Sequence, residues 1–129
     1  YVYEAGKPSP NTDVEKIILA ESARKGITRR AIDVQEIQNR ILYAMINEGA
    51  RIVDEKIAAR PLDVDMVEIF GYGFPRWRGG PLCTADIIGL PKVLDDIRAL
   101  EKADPLFWKP SALLERLVAD GKTFSDLNQ

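Results

Sequence analysis

The sequence predicts an all-α fold, with about six helices packed around one long central helix. Apolar residues recur at the three- and four-residue spacing of helices through most of the chain, and no useful length alternates with the two-residue period of strands. Glycines and prolines separate these periodic stretches, where helices end and begin. With 129 residues, 46% hydrophobic and 29% charged, the chain fits a single globular domain.

The N-terminal residues predict an extended arm followed by a helix. Residues 1–11 contain Gly6 and two prolines, and they are interpreted as a connector, with the helical domain spanning 12–129. Thr12 and Glu15 have the spacing of a capping box, which predicts the start of the first helix. Gly26 suits the left-handed position that ends it.

The central helix is predicted to start after Asp33, with Glu36 at capping-box spacing, and to continue to Pro61. It carries two adjacent apolar stripes, which predict neighbours on two sides. The stripes comprise Ile37, Ile41, Met45 and Ile52, and Leu42, Ile46, Gly49, Val53 and Ile57. Because a glycine inside a helix costs up to about 1 kcal/mol, Gly49 predicts the close approach of another backbone.

Prolines and glycines mark the remaining helices. Pro61 opens a third helix, and "PLCTADIIG" predicts two further turns that end at Gly89. Pro91 opens the next helix, and Ser111, or Pro110 before it, opens the last, which ends at Gly121.

The composition excludes several classes of function. The formal net charge is −2 with no basic stripe, which argues against nucleic acid as a partner. No apolar run approaches the roughly 18 residues that span a bilayer, so no membrane span is expected. One cysteine forms no internal disulfide, and the absence of histidine removes the commonest general base and metal ligand. We therefore expect no metal site and no self-contained hydrolytic, dehydrogenase or zinc chemistry.

The segment "GYGFPRWRGGP", residues 71–81, allows two interpretations. Glycine amides before a helix can cradle phosphate, and Arg76 and Arg78 could pair with it. However, no strand precedes the segment, the sixth position of "GYGFPR" is arginine, and the P-loop ending is absent. We therefore favour a structural corner, with Phe74 and Trp77 as core anchors. The residues expected to shape its backbone are Gly71, Gly73, Pro75, Gly79 and Gly80.

Glu48 falls on the apolar stripe of the central helix, seven positions after Ile41. A buried carboxylate needs hydrogen-bond donors or stays protonated. Glu48 could be a general base, but without a partner histidine we favour a structural role. In that role it accepts hydrogen bonds from the glycine-loop amides or pairs with Arg76 or Arg78.

Three further residues are weighed in the same way. Asn39 could donate to a substrate carbonyl, although a solvated or interhelical amide is more common. Cys83 is interpreted as a buried filler, since no histidine could activate it as a nucleophile. Trp108, between two prolines, is expected to pin the last connection against the domain.

A long series of motifs resembles one enzyme family. The run "EIQNRILYAMINEGARIVDEKIAARPLDVDMVEIFGYGFPRWRGGPLCTADIIGL" and the later "FWKPSALLERLVADGKTF" resemble the C-terminal helical domain of 3-hydroxyacyl-CoA dehydrogenases. The resemblance covers nearly all of the chain from Ile27 onward. It is strongest to the second helical repeat of multifunctional fatty-acid β-oxidation enzymes, which also contain an enoyl-CoA hydratase. It implies a fold similar to the C-terminal domain of 6-phosphogluconate dehydrogenase.

The resemblance also implies where the chemistry lies. In that family a Rossmann domain binds NAD and carries a catalytic His-Glu pair, and this chain has neither a histidine nor the dinucleotide fingerprint. The first repeat of the family supplies an asparagine at the substrate carbonyl, and Asn39-Arg40 is similar to that place. Because "NEGARIVDE" resembles the second repeat, no catalytic residue is expected here, with Asn39 as the one candidate.

These observations predict a domain of an enzyme that oxidises 3-hydroxyacyl-CoA to 3-ketoacyl-CoA with NAD. The expected partners are the Rossmann and hydratase domains and the acyl-CoA, and Arg76 and Arg78 are candidate contacts to a CoA phosphate. Alone, the chain is expected to be inactive. The alternatives are a non-catalytic helical interaction or oligomerisation module and, least favoured, an autonomous enzyme using Glu48 and Cys83. "SDLNQ" is no peroxisomal address, so a bacterial cytoplasm is favoured over a peroxisome whose signal was truncated.

Overall fold

Six α-helices account for most of the chain, and the all-α prediction is confirmed. The structure, a computed structural model, describes the backbone of residues 1–129 and every side chain except that of Glu4. The helices are α1 (Thr12–Arg24), α2 (Val34–Asp54), α3 (Pro61–Gly71), α4 (Pro81–Ile88), α5 (Leu90–Glu101) and α6 (Ala112–Asp120). Short 3-10 turns cover Arg76–Arg78 and Ser125–Leu127, and two strands precede α1, β1 (Val2–Glu4) and β2 (Lys7–Ser9).

The chain forms two units, residues 1–33 and 34–129. In the first, β1 and β2 pair as an antiparallel hairpin, so residues 1–11 fold back on themselves instead of forming a plain extended arm. Ala5 and Gly6 have φ of 48° and 77°, the left-handed backbone of a tight two-residue turn. The cap of α1 is Asn11 and not Thr12, because the Asn11 carboxamide accepts hydrogen bonds from two first-turn amides.

The second unit is built on α2, which contacts α3, α4 and α6 as the central helix. Its buried residues are Leu42, Tyr43, Ile46, Asn47, Gly49 and Ala50. The helix ends at Asp54, earlier than Pro61, and Lys56 has a left-handed φ of 58° in the turn that follows. A Cβ on Gly49 would lie 3.2 Å from side-chain atoms of both Leu82 and Val64, so the close approach is present, but side chains make it and not the predicted backbone.

The connection from α5 to α6 is fixed by an aromatic residue. Trp108 is only 6% exposed and packs in the core, as the sequence predicted, with its ring edge-on to Phe107 at 5.0 Å between centroids. Ser111 caps α6 by accepting a hydrogen bond from the Leu114 amide, and Gly121 ends that helix in the left-handed conformation. The C-terminal half therefore follows the proline and glycine signals closely.

Two side chains join the C-terminal segment to α3 and α4. The Asp86 carboxylate of α4 accepts hydrogen bonds from the amides of Phe124 and Ser125, both at 2.9 Å. The Asn128 carboxamide oxygen accepts from the Leu62 amide, in the first turn of α3, at 2.8 Å. Residues 123–128 are therefore tied to both helices that flank the glycine-rich corner.

Candidate functional site around the central helix

The glycine-rich segment between α3 and α4 is a tight backbone corner. The amides of Tyr72 and Phe74 both donate to the Glu68 carbonyl, which closes α3. Gly79 and Gly80 then have φ of 76° and 100°, a backbone that residues with a Cβ rarely adopt. These two glycines bring the chain into α4 at Pro81.

Asp65, in the middle of α3, caps α4. Its carboxylate oxygens accept hydrogen bonds from the Leu82 amide at 2.7 Å and from the Cys83 amide at 3.0 Å. A Cβ on Gly80 would lie 2.4 Å from the Asp65 carboxyl group. The amides that would have cradled a phosphate are therefore already bonded to a buried side chain, so the corner is no phosphate cradle.

The same carboxyl group has a perturbed ionisation. Asp65 is 4% exposed, and this burial raises its pKa to about 6 against the opposing effect of the hydrogen bonds from Leu82 and Cys83. The negative charges of Asp86 and Glu68 raise the pKa further. Sequence reasoning missed Asp65, and its one signal was its position between two apolar residues, Val64 and Met66.

Glu48 does not occupy the place that the sequence predicted. Its side chain is 62% exposed and its Oε2 lies 3.5 Å from Nη1 of Arg51, with no hydrogen bond to the corner amides. The expectation of a buried acceptor, or of pairing with Arg76 or Arg78, is wrong. The reason is that the Ile41 stripe faces outward, since Ile41 itself is 58% exposed.

The two arginines of the corner lie against different rings. The Arg76 guanidinium carbon is 5.2 Å from the centre of the Phe70 ring, whereas that of Arg78 is 4.9 Å from the centre of the Trp77 ring. Trp77 is 81% exposed, so its expected role as a core anchor is wrong. Phe74, by contrast, is partly buried against the core.

Arg78, Trp77 and Asn39 surround a cavity of about 470 Å³ between α2, α4 and α5. The Asn39 oxygen accepts a hydrogen bond from the Gln35 carboxamide at 2.8 Å. Lys92 completes the rim and donates to Asp96 at 2.8 Å. The structure thus brings together Asn39 and Arg78, and it leaves Arg76 outside this cavity.

Asp96 is shared with a buried phenol. The Tyr43 hydroxyl donates to its carboxylate at 2.5 Å, linking α2 to α5. Burial raises the pKa of Tyr43 to about 12, and the hydrogen bond and negative charge of Asp96 act in the same direction. This pair holds the floor of the cavity in place.

Asn47 is the buried polar residue of α2. Its side chain is 2% exposed, donates to the Lys109 carbonyl at 2.9 Å and accepts from the Ser111 amide at 2.8 Å. Arg51 donates to the same Lys109 carbonyl at 2.5 Å. The sequence showed Asn47 only as a polar position, since its partners lie more than 60 residues further along the chain.

A larger cavity of about 780 Å³ opens on the other side of α2. Met45, Ile52, Phe107 and Trp108 give it an apolar wall. Three carboxylates, those of Glu48, Glu68 and Asp104, lie on its rim beside a single cation, Arg51. Its apolar surface and acidic rim distinguish it from the smaller cavity.

Cys83 lies at the start of α4 against the corner. Burial raises the pKa of its thiol, and the nearby charges of Asp65 and Asp86 raise it further. A raised thiol pKa disfavours the nucleophilic thiolate. Cys83 is partly buried and not the fully buried filler that the sequence predicted, and its sulfur packs against Gly79 of the corner.

The fold and these sites coincide with a known domain. A family model described as "3-hydroxyacyl-CoA dehydrogenase, C-terminal domain" matches residues 37–125, which contain α3 to α6, nearly all of α2, the larger cavity and all of the smaller one except Gln35. The chain belongs to this family. The resemblance seen in the motifs is thereby confirmed, and α2 to α6 form a C-terminal dehydrogenase domain.

This chain is similar to curated proteins whose names include a bifunctional enzyme and proteins of fatty acid oxidation. It is 44% identical over 117 residues to a "Peroxisomal bifunctional enzyme" of Danio rerio, covering 89% of this chain and 16% of that protein. It is 32% identical over 133 residues to a "Peroxisomal fatty acid beta-oxidation multifunctional protein" of Arabidopsis thaliana, covering 98% and 18%. Identity to a "Fatty acid oxidation complex subunit alpha" of Shewanella amazonensis is 38% over 89 residues, covering 69% and 13%.

The chain therefore spans about a sixth of the length of these relatives. Their names include peroxisomal and bacterial proteins, so both compartments considered from the sequence occur among them, and the compartment of this chain stays a prediction. In the part of the chain that the structure describes, no helix combines the length and the apolar character needed to cross a membrane.

Proposed function

We propose that this chain is the C-terminal helical domain of an enzyme that oxidises 3-hydroxyacyl-CoA to 3-ketoacyl-CoA with NAD. In that enzyme it forms a wall of the acyl-CoA cleft and supports the neighbouring Rossmann and hydratase domains. No residue of the chain takes part in hydride transfer, and the isolated chain is inactive. NAD binds to a domain of the parent enzyme outside these 129 residues.

The observation that carries this proposal is the family match over residues 37–125, which lies wholly within the second structural unit. The sequence contains no histidine, so the usual proton acceptor of an alcohol oxidation has to come from elsewhere in the enzyme. Asn39 is already hydrogen-bonded to Gln35, which fits a position that shapes the cleft without taking part in the reaction.

The exposed apolar surface supports the proposal that this domain forms a wall of the acyl-CoA cleft. The larger cavity beside α2 exposes apolar side chains, and the outer side of α3 adds Leu62, Met66, Val67 and Phe70, all exposed. Apolar surface of this extent is unusual for an isolated domain and marks places where other protein or ligand is buried. We infer that neighbouring domains of the parent cover part of it.

An exchange experiment tests the proposal directly. The matching segment of the Danio rerio enzyme is replaced by this chain, and the oxidation of NADH by acetoacetyl-CoA is followed beside the unaltered enzyme, the deletion of the segment, and this chain alone. We expect activity in the exchanged enzyme and none in the deletion or in the isolated chain. A folded exchanged enzyme as inactive as the deletion, or turnover by the chain alone, would contradict the proposal.

The exposed α3 surface also favours a second candidate, a helical interaction or oligomerisation module without any role at the substrate. Light scattering of the isolated chain measures its oligomeric state and so tests this second candidate. Stable self-association, together with an inactive exchanged enzyme, would favour this candidate. A monomeric chain that restores activity would exclude it.

A further inference from the structure

We propose that the cavity bordered by Trp77, Arg78 and Lys92 binds an adenine nucleotide. The base stacks on the exposed indole of Trp77, and the phosphates pair with Arg78, with Lys92, which also donates to Asp96, as a second donor. This deepens the proposed function and rests on it only for the natural source of the ligand, the phosphorylated adenosine end of coenzyme A. The binding itself is a property of this chain and is testable without the parent enzyme.

The cavity has the size and position of a ligand site. Its volume of about 470 Å³ lies within the roughly 300–1,000 Å³ common for small-molecule pockets. Leu42 and Ile88 contribute apolar surface from α2 and α4, and the polar side chains of Gln35, Asn39, Arg78 and Lys92 also line it. Most lining residues lie on the regular helices α2, α4 and α5, whereas Trp77 and Arg78 lie on the 3-10 turn Arg76–Arg78 between α3 and α4.

Charge selects an anion for this cavity. Arg78 and Lys92 line it, and no carboxylate does. Lys92 forms an ion pair with Asp96 outside the lining, so Arg78 carries the uncompensated positive charge. Among the described residues Arg78 has no ion pair, so its guanidinium donors are free for phosphate. The larger cavity has three carboxylates and one arginine on its rim, and the like charge there disfavours the same ligand.

The aromatic residue selects a flat group. Trp77 is 81% exposed, an unusual position for the largest apolar side chain, and the guanidinium of Arg78 lies over its ring at 4.9 Å. Any nucleotide base can stack on such a ring, whatever hydrogen-bond donors and acceptors its edge presents. A neighbouring arginine strengthens the contact. The Trp77–Arg78 pair therefore offers stacking and a phosphate contact at adjacent positions.

Two carboxamides add donors and an acceptor. Gln35 uses its amide nitrogen to bond the Asn39 oxygen, which leaves the carbonyl of Gln35 and the amide N–H groups of Asn39 available at the rim. A purine edge presents both donors and acceptors to such a pair. This arrangement gives Asn39 a role in ligand positioning, distinct from catalysis.

The two tryptophans of the chain provide the readout. Trp108 is 6% exposed in the core, whereas Trp77 is open to solvent, so a ligand that stacks on Trp77 quenches the exposed emission and leaves the buried emission unchanged. We would titrate the full chain with ADP. Saturable quenching of the exposed component is expected, and its absence with the fold intact would overturn the proposal.

The corner supplies a matched control. Arg78→Ala should weaken ADP binding about tenfold or more, because a charge-assisted phosphate contact is lost. Arg76→Ala removes the same charge from the same segment, but Arg76 lies over Phe70 away from the cavity, so its affinity should change less than about twofold. Equal losses in the two variants would show general charge attraction and overturn the site.

Ligand fragments separate stacking from charge. Adenosine and inorganic phosphate should each bind much more weakly than ADP, because each keeps only one of the two contacts. If phosphate bound as tightly as ADP, the base would contribute nothing to binding. If adenosine bound as tightly as ADP, the cations would contribute nothing. Either result overturns the proposal. Calorimetry of Trp77→Ala, expected to lose about tenfold, checks the stacking without fluorescence.

This test and the exchange experiment fail independently. An exchanged enzyme that is active while ADP does not bind the chain would leave the proposed function intact and reject the nucleotide site. ADP binding with the expected variant pattern, beside an inactive exchanged enzyme, would support the site and reject the proposed function. Thermal melting of each variant confirms folding, since both arginines and Trp77 are exposed.

Discussion

Asp65 on α3 and Gly80 before α4 lie so close that a Cβ on the glycine would come within 2.4 Å of the carboxyl group. The contact exists because the Asp65 carboxylate reaches the first amides of α4, at Leu82 and Cys83. It turns the glycine-rich corner into a joint between two helices. The joint, and not a bound phosphate, explains why this segment needs glycine.

Gly80→Ala should destabilise the domain strongly, because the new methyl group meets the buried Asp65 and the backbone φ is 100°. Gly89 is the matched control, since its φ of 97° is similar while its Cβ would meet nothing within 4 Å. We expect the loss in unfolding free energy for Gly80→Ala to exceed that for Gly89→Ala by at least about 2 kcal/mol in urea denaturation. Equal losses would mean that backbone strain alone matters.

Asp65 should make stability depend on pH. Its pKa is about 6 in the folded state against 3.8 for the ordinary group, so its contribution is fully present below about pH 4 and is lost as the pH rises through 6. Relative to Asp65→Asn, which does not titrate, the protein should lose about 3 kcal/mol between those limits, at about 1.4 kcal/mol per pKa unit.

Urea denaturation of both proteins over this range measures the difference. The loss of one acceptor in Asp65→Asn adds a constant offset, so only the change with pH is diagnostic. A difference that stays flat, or that grows in favour of the natural residue as the pH rises, would show that the hydrogen bonds from Leu82 and Cys83 outweigh burial.

Asn47→Ala should cost roughly 2–3 kcal/mol, because the Ser111 amide and the Lys109 carbonyl each lose a buried partner. Asn39→Ala on the same helix loses only an exposed bond to Gln35 and should cost no more than about 0.5 kcal/mol. Thermal or urea unfolding measures both. Similar costs would mean that water replaces the Asn47 contacts.

Tyr43→Phe should remove the highest step of the alkaline tyrosine titration. The folded pKa of about 12 exceeds the ordinary 10.0, so this group stabilises the fold fully below pH 10 and the contribution is lost as the pH rises through 12. Ultraviolet absorbance of tyrosinate follows the titration. A step near pH 10 that disappears in the variant would show that the Asp96 contact is absent in solution.

The sequence predicted the helices better than it predicted the direction of their polar groups. Proline and glycine signals located α3, α4 and α6, because those residues restrict the backbone locally. Two apolar stripes on α2 were recognised, but periodicity does not tell which stripe meets the rest of the chain. Glu48 was placed on the buried side for that reason, and it lies on the open one.

Local sequence patterns do not predict side-chain hydrogen bonds to backbone groups far along the chain. Asp65 bonds residues 17 and 18 positions away, and Asn47 bonds residues 62 and 64 positions away. Neither separation leaves a local signature. The corner interpretation predicts Trp77 as a core anchor, whereas the side chain is 81% exposed. Asn39 and Arg78, which the sequence indicates as candidates, line the same cavity as Trp77.

The hydrogen bonds of Asp65, Asp86 and Asn128 run from α3 to α4, from α4 to the C-terminal 3-10 turn, and from there back to the start of α3. This circuit closes only when residue 128 is present, 66 positions after its partner at Leu62. During synthesis on the ribosome, α2 and α3 emerge well before that partner exists. The corner should therefore reach its final form only after the last turn of the domain has left the exit tunnel, which makes it a late step in folding.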